Sequence, residues 1–218
     1  GEAELLGPAR LLFRLNPATW GPRRFDASRS ERIREALQDL GPIFVKFGQS
    51  LSTRQDLLAP DIGQELAKLQ DEVPPFPAEQ ALAEVERSFG SPAETVFASF
   101  DRESLAAASI AQVHAARLHS GEDVVVKVLR PRVRQLIQQD LEVMYTVARL
   151  AWRWWPEARR LRPVEVVREY EKTILNELDL LREAANATQL RRNWQGSPLI
   201  YVPKVYFDYC RTGVMVME

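Results

Sequence analysis

Cysteine is nearly missing from this chain: Cys210 is the single one in 218 residues. One thiol excludes an internal disulfide and a cysteine-rich zinc site, and it fits a reducing compartment. Histidine is scarce too. His114 and His119 are the only two, which is too little for a histidine-based metal site or triad. They read as a strand residue and a turn residue, and neither is assigned chemistry. A charge excess of either sign is also lacking. The 29 Lys and Arg stand against 30 Asp and Glu, a formal net charge of −1, so bulk electrostatics make no case for a nucleic-acid partner. No run reaches the roughly 18 consecutive apolar residues of a transmembrane helix. The opening Gly1-Glu2-Ala3-Glu4 has no signal-peptide pattern. The last residues, Val214 to Glu218, read as a strand cut short, so we expect the chain to be part of something longer. There is no internal repeat and no low-complexity segment.

What is present is a helical first part and a mixed second part. Residues 1–29 read as an N-terminal arm. Within residues 1–25, leucines mixed with prolines and arginines fit a poorly anchored tail or a short amphipathic membrane-touching segment. Ser30 is expected to cap a helix from Glu31 to Leu40 that Gly41-Pro42 stops, and a second helix starts at Pro42. Lys46, Gln49 and Thr53 recur at helical spacing and share one face of it. A third helix opens at Pro60-Asp61. Residues 71–77, with three prolines in four positions, are expected to be extended. A further helix spans about Ala78 to Phe89. From Phe97 the pattern changes to short strands: Phe97–Ser104, Ile110–Leu118 and Val124–Leu129. An inserted helix at about 132–155 follows, then the longest expected helix, Val164 to Asn193. Strands Lys204–Tyr209 and Val214–Glu218 close the chain. The reading is α+β: a helical extension over 30–96, then a five-stranded antiparallel sheet with a long helix over 97–218.

The most informative stretch is Ala106 to His114, followed by Val124-Val125-Val126-Lys127. Written as A-x-A-x-x-A-x-V, it matches the glycine-rich kinase loop G-x-G-x-x-G-x-V with alanines for glycines. A strand lysine at this distance is what a kinase uses to hold the α/β-phosphates and to pair with a helix glutamate. Alternation sets Val124, Val126 and Val128 on one face and Val125 and Lys127 on the other. The acids sit on the expected long helix as Glu177-Leu178-Asp179 and Glu183. Asp179 and Glu183 are i, i+4 and share a face, with Glu177 on another. Lys127 and Lys46 are the candidate partners. Alanine adds a Cβ that restricts φ > 0, so the loop should be helical or stiffer than a glycine loop, and the nucleotide pose altered. The Trp152 to Arg162 segment mixes tryptophans and arginines. It fits either a membrane-interface patch or a helix–helix joint.

Four motifs in order resemble the UbiB-like (ADCK) atypical kinases. They are Lys46-Phe47-Gly48-Gln49 (K-x-G-Q), the alanine-rich loop, Val125-Val126-Lys127, and Glu177-Leu178-Asp179 running into Arg182-Glu183. Val216-Met217-Glu218 resembles the start of a kinase hinge. The resemblance covers about residue 30 to the end. It implies a kinase-like N-lobe behind a family-specific extension, without the C-lobe. Lys46, Gly48 and Gln49 would gate the site. Ala106, Ala107, Ala108 and Ser109 would form the nucleotide loop, Lys127 would contact phosphate, and Glu218 would lie at the hinge. Glu177, Asp179 and Glu183 would supply acids. Glu183 is favoured as the partner of Lys127, and Glu177 or Asp179 as that of Lys46. The implied cofactors are ATP and Mg2+, with the metal ligands expected in the C-lobe and none in these 218 residues. On that basis the stretch alone should bind ATP weakly and hydrolyse none. The implied work is ATPase-type support of ubiquinone, isoprenoid-quinone or lipid metabolism, peripherally bound on the cytoplasmic side of a membrane. Two rival readings stay open. One is a non-enzymatic, pseudokinase-like lipid or protein-binding regulator. The other is a small-molecule phosphotransferase, which leaves Lys46 to Gln49 unexplained.

Overall fold

The computed structural model describes residues 27–54, 56–70 and 73–218. The expected arm at 1–25 lies outside the described residues. The chain divides into two compact units between Gln70 and Asp71.

The first unit holds three helices: α1 (Arg29–Leu40), α2 (Pro42–Ser52) and α3 (Pro60–Leu66). Ser28, rather than the expected Ser30, caps α1. Ser28 Oγ accepts from the Glu31 N–H at 3.2 Å, and Glu31 reaches back to the Ser28 N–H at 2.7 Å. This S-x-x-E capping box satisfies two otherwise orphaned groups at once, and it carries the helix two residues upstream of the expected start. Val45, Leu66 and Leu69 form a small core, with Ile33, Leu37, Leu51, Leu58 and Ile62 around it.

The second unit opens with the proline-rich segment and α4 (Ala78–Phe89), then a short turn of helix α5 (Ala93–Val96). Gly90 ends α4 at φ 68°, a left-handed cap that glycine adopts without penalty. Four strands follow as an antiparallel meander: β1 (Phe97–Ala107), β2 (Ala111–Leu118), β3 (Asp123–Leu129) and β4 (Val214–Met217). Between β3 and β4 lie α6 (Val133–Trp154), α7 (Pro156–Arg159), α8 (Pro163–Glu177) and α9 (Leu180–Asn193).

Val124, Val126 and Val128 are buried on one face of the sheet with Phe97, Leu118, Val214 and Val216. Val85 of α4 and Ala93 and Val96 of α5 close this core. The units therefore divide at residue 70, well ahead of the boundary expected at 96, because α4 buries its apolar stripe on the sheet.

Two further elements differ from expectation. The described sheet has four strands, not five. Residues 204–209 make one isolated bridge, Val205 to Met217, and then coil into a 3-10 turn at Phe207–Tyr209. There the Tyr209 N–H donates to Tyr206 O and the Cys210 N–H to Phe207 O, both at 2.9 Å. The β propensity of Val205, Tyr206, Phe207 and Tyr209 is outweighed by that local turn.

The expected single helix Val164–Asn193 is two helices, and the longest is instead the 22-residue α6. The break falls at Leu178-Asp179. Asp179 caps α9 by accepting from the Arg182 N–H at 3.1 Å, so it does not share a helical face with Glu183 as expected. The Leu180 N–H donates to Thr212 O at 3.0 Å, which ties the start of α9 to the turn before β4. Replacing Asp179 with alanine removes the cap. It should cost about 1 kcal/mol, read as a lowered denaturation midpoint with unchanged m-value.

Candidate nucleotide site

Lys127 lies on β3 with its side chain on the face opposite the valine core, as alternation requires. Its neighbours across the sheet are Val113 on β2 and Met215 on β4. Lys127 Nζ donates to both carboxylate oxygens of Glu183, at 2.7 and 2.8 Å. Glu183 sits in the first turn of α9, whose start the Asp179 cap and the Leu180–Thr212 bond hold in place. The Lys127 side chain is 23% exposed and that of Glu183 43%. A pair this open is worth about 1 kcal/mol of stability or less. Its consequence is positional: the ammonium is held at the Glu183 carboxylate, on the sheet face away from the valine core.

The alanine stretch is a tight β-hairpin. Ala106 and Ala107 belong to β1, paired with Val113 and Gln112, so of the two forms expected, helical or merely stiffer, the loop is not helical. Ala108, Ser109 and Ile110 make the turn, and the Ala108 N–H donates to Ala111 O at 2.8 Å. Among described residues, only Arg132 and Arg162 have positive φ outside glycine, so no alanine here adopts the left-handed conformation. That is the stiffness a Cβ at each position predicts. Ser109 and Ile110 are buried.

Two residues that carried no role in the sequence reading hold this hairpin. Arg130, just past β3, donates from Nε to Ala108 O at 3.0 Å and from Nη2 to Pro74 O at 2.7 Å. Its guanidinium also lies 5.2 Å from the centre of the Phe76 ring. Gln112 is buried at 1% exposure. Its Oε1 accepts from the Phe76 N–H at 3.0 Å, and its Nε2 donates to Phe76 O at 3.3 Å. The proline-rich segment is thereby strapped to the hairpin. Val73, Pro74 and Pro75 wall one side of an open hollow of about 570 Å³, and Ser104, Leu105, Ala106 and Ala107 line the other.

Gln112 Nε2 also meets His114 Nε2 at 2.7 Å, and His114 Nδ1 lies 2.9 Å from Asp101 O. The amide can only donate and the carbonyl only accept. The ring is therefore neutral with its proton on Nδ1. Burial pushes the His114 pKa down, partly opposed by the bond to Asp101 O.

The remaining candidates are placed as follows. Lys46, Gly48 and Gln49 lie on α2 in the first unit. Gln49 Nε2 donates to Leu69 O at 3.0 Å. A Cβ at Gly48 would run into the side chains of Leu69 and Leu37, so glycine lets α2 approach them. Glu177 is the last residue of α8. The Glu218 carboxylate accepts from the Tyr201 hydroxyl and from the Lys204 N–H at 3.1 Å, with Arg191 Nη1 at 3.8 Å. The Tyr201 hydrogen bond is the main cause holding its pKa below the usual carboxylate value. A second hollow, of about 390 Å³, lies between the end of α9 and residues 195–205 and includes Arg191, Tyr201 and Lys204 in its lining. Among described residues, no three His, Cys, Asp or Glu side chains cluster so as to hold a metal ion.

The chain is similar to known proteins. A family model described as the ABC1 atypical kinase-like domain matches residues 68–218. A Pseudomonas aeruginosa (strain LESB58) protein named Probable protein kinase UbiB is 62% identical over 210 residues, 96% of this chain and 39% of the relative. A protein of the same name from Azotobacter vinelandii is 59% identical, with the same coverage. The chain thus spans about two fifths of the length of these curated relatives. A solved Mycobacterium tuberculosis structure, Rv3197 in complex with erythromycin, superposes with a TM-score of 0.55 at 28% identity, over 78% of this chain and 43% of that one. A strand lysine clasped by a helix glutamate, beside an alanine-built hairpin and within a matching family model, leads to one conclusion: the chain belongs to the ABC1 atypical kinase-like family.

Proposed function

We propose that this chain is the nucleotide-holding N-lobe and helical extension of an atypical kinase or ATPase that serves ubiquinone, related isoprenoid-quinone or lipid metabolism. The observation that carries the reading is the bidentate Lys127–Glu183 pair. In kinase-type sites the strand lysine reaches the α/β-phosphates only when a helix glutamate orients it. Lys127 fits the phosphates of ATP on that ground. Among the described residues no three-ligand cluster holds the metal that accompanies ATP, and this proposal puts its ligands in a kinase C-lobe, this chain spanning 39% of the relative's length. On this proposal the 218-residue stretch binds ATP weakly and turns none over. The roles implied for Lys46, Gly48 and Gln49 in gating, for Glu177 and Asp179 as further acids, and for Glu218 at the hinge belong to the same proposal. So does work at a membrane, since the quinones of such a pathway are lipid-soluble.

The hairpin Ala106 to Ser109 gives the reading its specific form. A glycine loop turns backbone N–H groups toward phosphate through left-handed residues. Here the Ala108 N–H points back to Ala111 O. Replacing Ala108 with glycine frees that turn. One regained N–H bond to a charged phosphate should tighten ATP by about tenfold, measured as equilibrium binding to the full-length protein. An unchanged dissociation constant would count against a nucleotide beneath this hairpin.

A further inference from the structure

The helical hairpin inserted between β3 and α9 ends in a feature that the nucleotide site does not use. Helices α6 and α8 pack together, and Ile137, Leu141 and Met144 on one and Val167, Tyr170 and Ile174 on the other are buried. Tyr145 Oη donates to Glu171 Oε2 at 2.5 Å across them, and burial, with that bond, pushes the tyrosine up to about 12. The base of the hairpin is therefore closed. Its tip is not. Trp152, Trp154 and Trp155 are 53%, 68% and 61% exposed. Val147 and Leu150 extend the apolar surface back along α6 from Trp154, at i−7 and i−4, and both are about half exposed. Tryptophans that closed a helix–helix joint, the alternative reading of this segment, would be covered.

The charge at the tip is equally distinctive. Residues 149–162 contain five arginines and one acid, Glu157, in a chain whose net charge is −1. Arg159 folds back, donating to Trp152 O at 2.9 Å with its guanidinium 5.2 Å from the Trp152 ring centre. Exposed indoles beside a dense positive charge are the composition of a segment that settles at the headgroup level of an anionic bilayer. Each indole has an apolar body for the acyl boundary and an N–H for the wet side. No helix among the described residues is long and apolar enough to cross a membrane, so the contact is interfacial.

We propose that the α6–α7–α8 hairpin tip is a membrane-docking surface, with Trp152, Trp154 and Trp155 inserting at the interface and Arg153, Arg160 and Arg162 meeting anionic lipid headgroups. This rests on the membrane part of the function proposed above and names the surface that does it. The test uses full-length protein and flotation with phosphatidylcholine vesicles, with and without phosphatidylglycerol. The wild type should bind the anionic vesicles. A variant with Trp152, Trp154 and Trp155 changed to Ser, and one with Arg153, Arg160 and Arg162 changed to Gln, should each bind about tenfold more weakly or worse. Brominated acyl chains should quench the fluorescence of the wild type more than that of the tryptophan variant. Trp154→Ser alone, at the most exposed of the three indoles, replaces the triple variant should that fail to fold. If the wild type binds and the variants bind as well, the hairpin assignment fails while the membrane reading stands. Loss of binding only on deleting residues 1–26 has the same meaning. If the wild type binds no vesicle, or the tip instead captures an acidic protein in the absence of lipid binding, both are overturned.

Discussion

Replacing Lys127 with alanine in the full-length protein should lower ATP turnover at least about a hundredfold while barely moving the melting temperature. Those two expectations come from the same geometry. The Lys127–Glu183 pair is too exposed to contribute more than about 1 kcal/mol to folding. A positioned cation at a phosphate, in contrast, is worth roughly 10²–10³ in rate when it is removed. Glu183→Gln should act in the same direction with a smaller effect, since the lysine stays and only its orientation is loosened. A Lys127→Ala protein that kept wild-type turnover would remove the kinase-type reading of this sheet face. One that unfolded would show instead that the pair is structural.

The second large effect is expected at Gln112. Its amide satisfies both backbone groups of Phe76 and faces the bare Nε2 of His114. A Gln112→Leu change leaves the Phe76 N–H and C=O buried without those partners. At about 1–3 kcal/mol for each stranded group, the loss should reach roughly 3 kcal/mol. In a chain of this size that lowers the melting temperature by about 6–12 °C. The same network makes stability depend on pH. His114 is held neutral when folded, with its pKa lowered by burial. The unfolded chain takes up a proton near the ordinary imidazole value of 6.5, and the native chain resists until lower pH. This contribution is fully present above 6.5 and is lost as pH falls from 6.5 toward the lowered native value. Melting curves between neutral and mildly acidic pH should show that decline.

The sequence made Lys127 legible because a β-strand alternates faces, and β3 alternates without interruption from Val124 to Val128. Glu183 was legible as one of three acids, and the fold selects it by starting a new helix just before it. That start was hidden. Ile174, Leu178 and Leu181 continue a helical apolar spacing through the break, and no glycine or proline marks it. The signal that could have shown it was Asp179 as a cap, a residue type that suits both a helix surface and a helix start.

The strap was hidden for a different reason. Gln112 reaches a segment 36 residues earlier and Arg130 one 56 residues earlier, and no local pattern encodes such pairings. A glutamine and a histidine alternating with Ala116 and Leu118 on one strand face were the available hint, since buried polar side chains need partners. The missing fifth strand shows the limit of propensity. Residues 204–209 have β-forming side chains, but their backbone closes its own turn and keeps one bridge to β4.

The contact proposed here is between Lys127 and the phosphates of bound ATP. An acyl-phosphate derivative of ATP, which transfers its acyl group to an amine lying at the phosphates, tests it most directly. With the full-length protein, peptide mapping should place the label on Lys127, with excess ATP suppressing it, and leave Lys46, Lys68, Lys172 and Lys204 essentially unlabelled. Labelling spread over the surface lysines, or a Lys127 label that ATP does not suppress, would contradict the account.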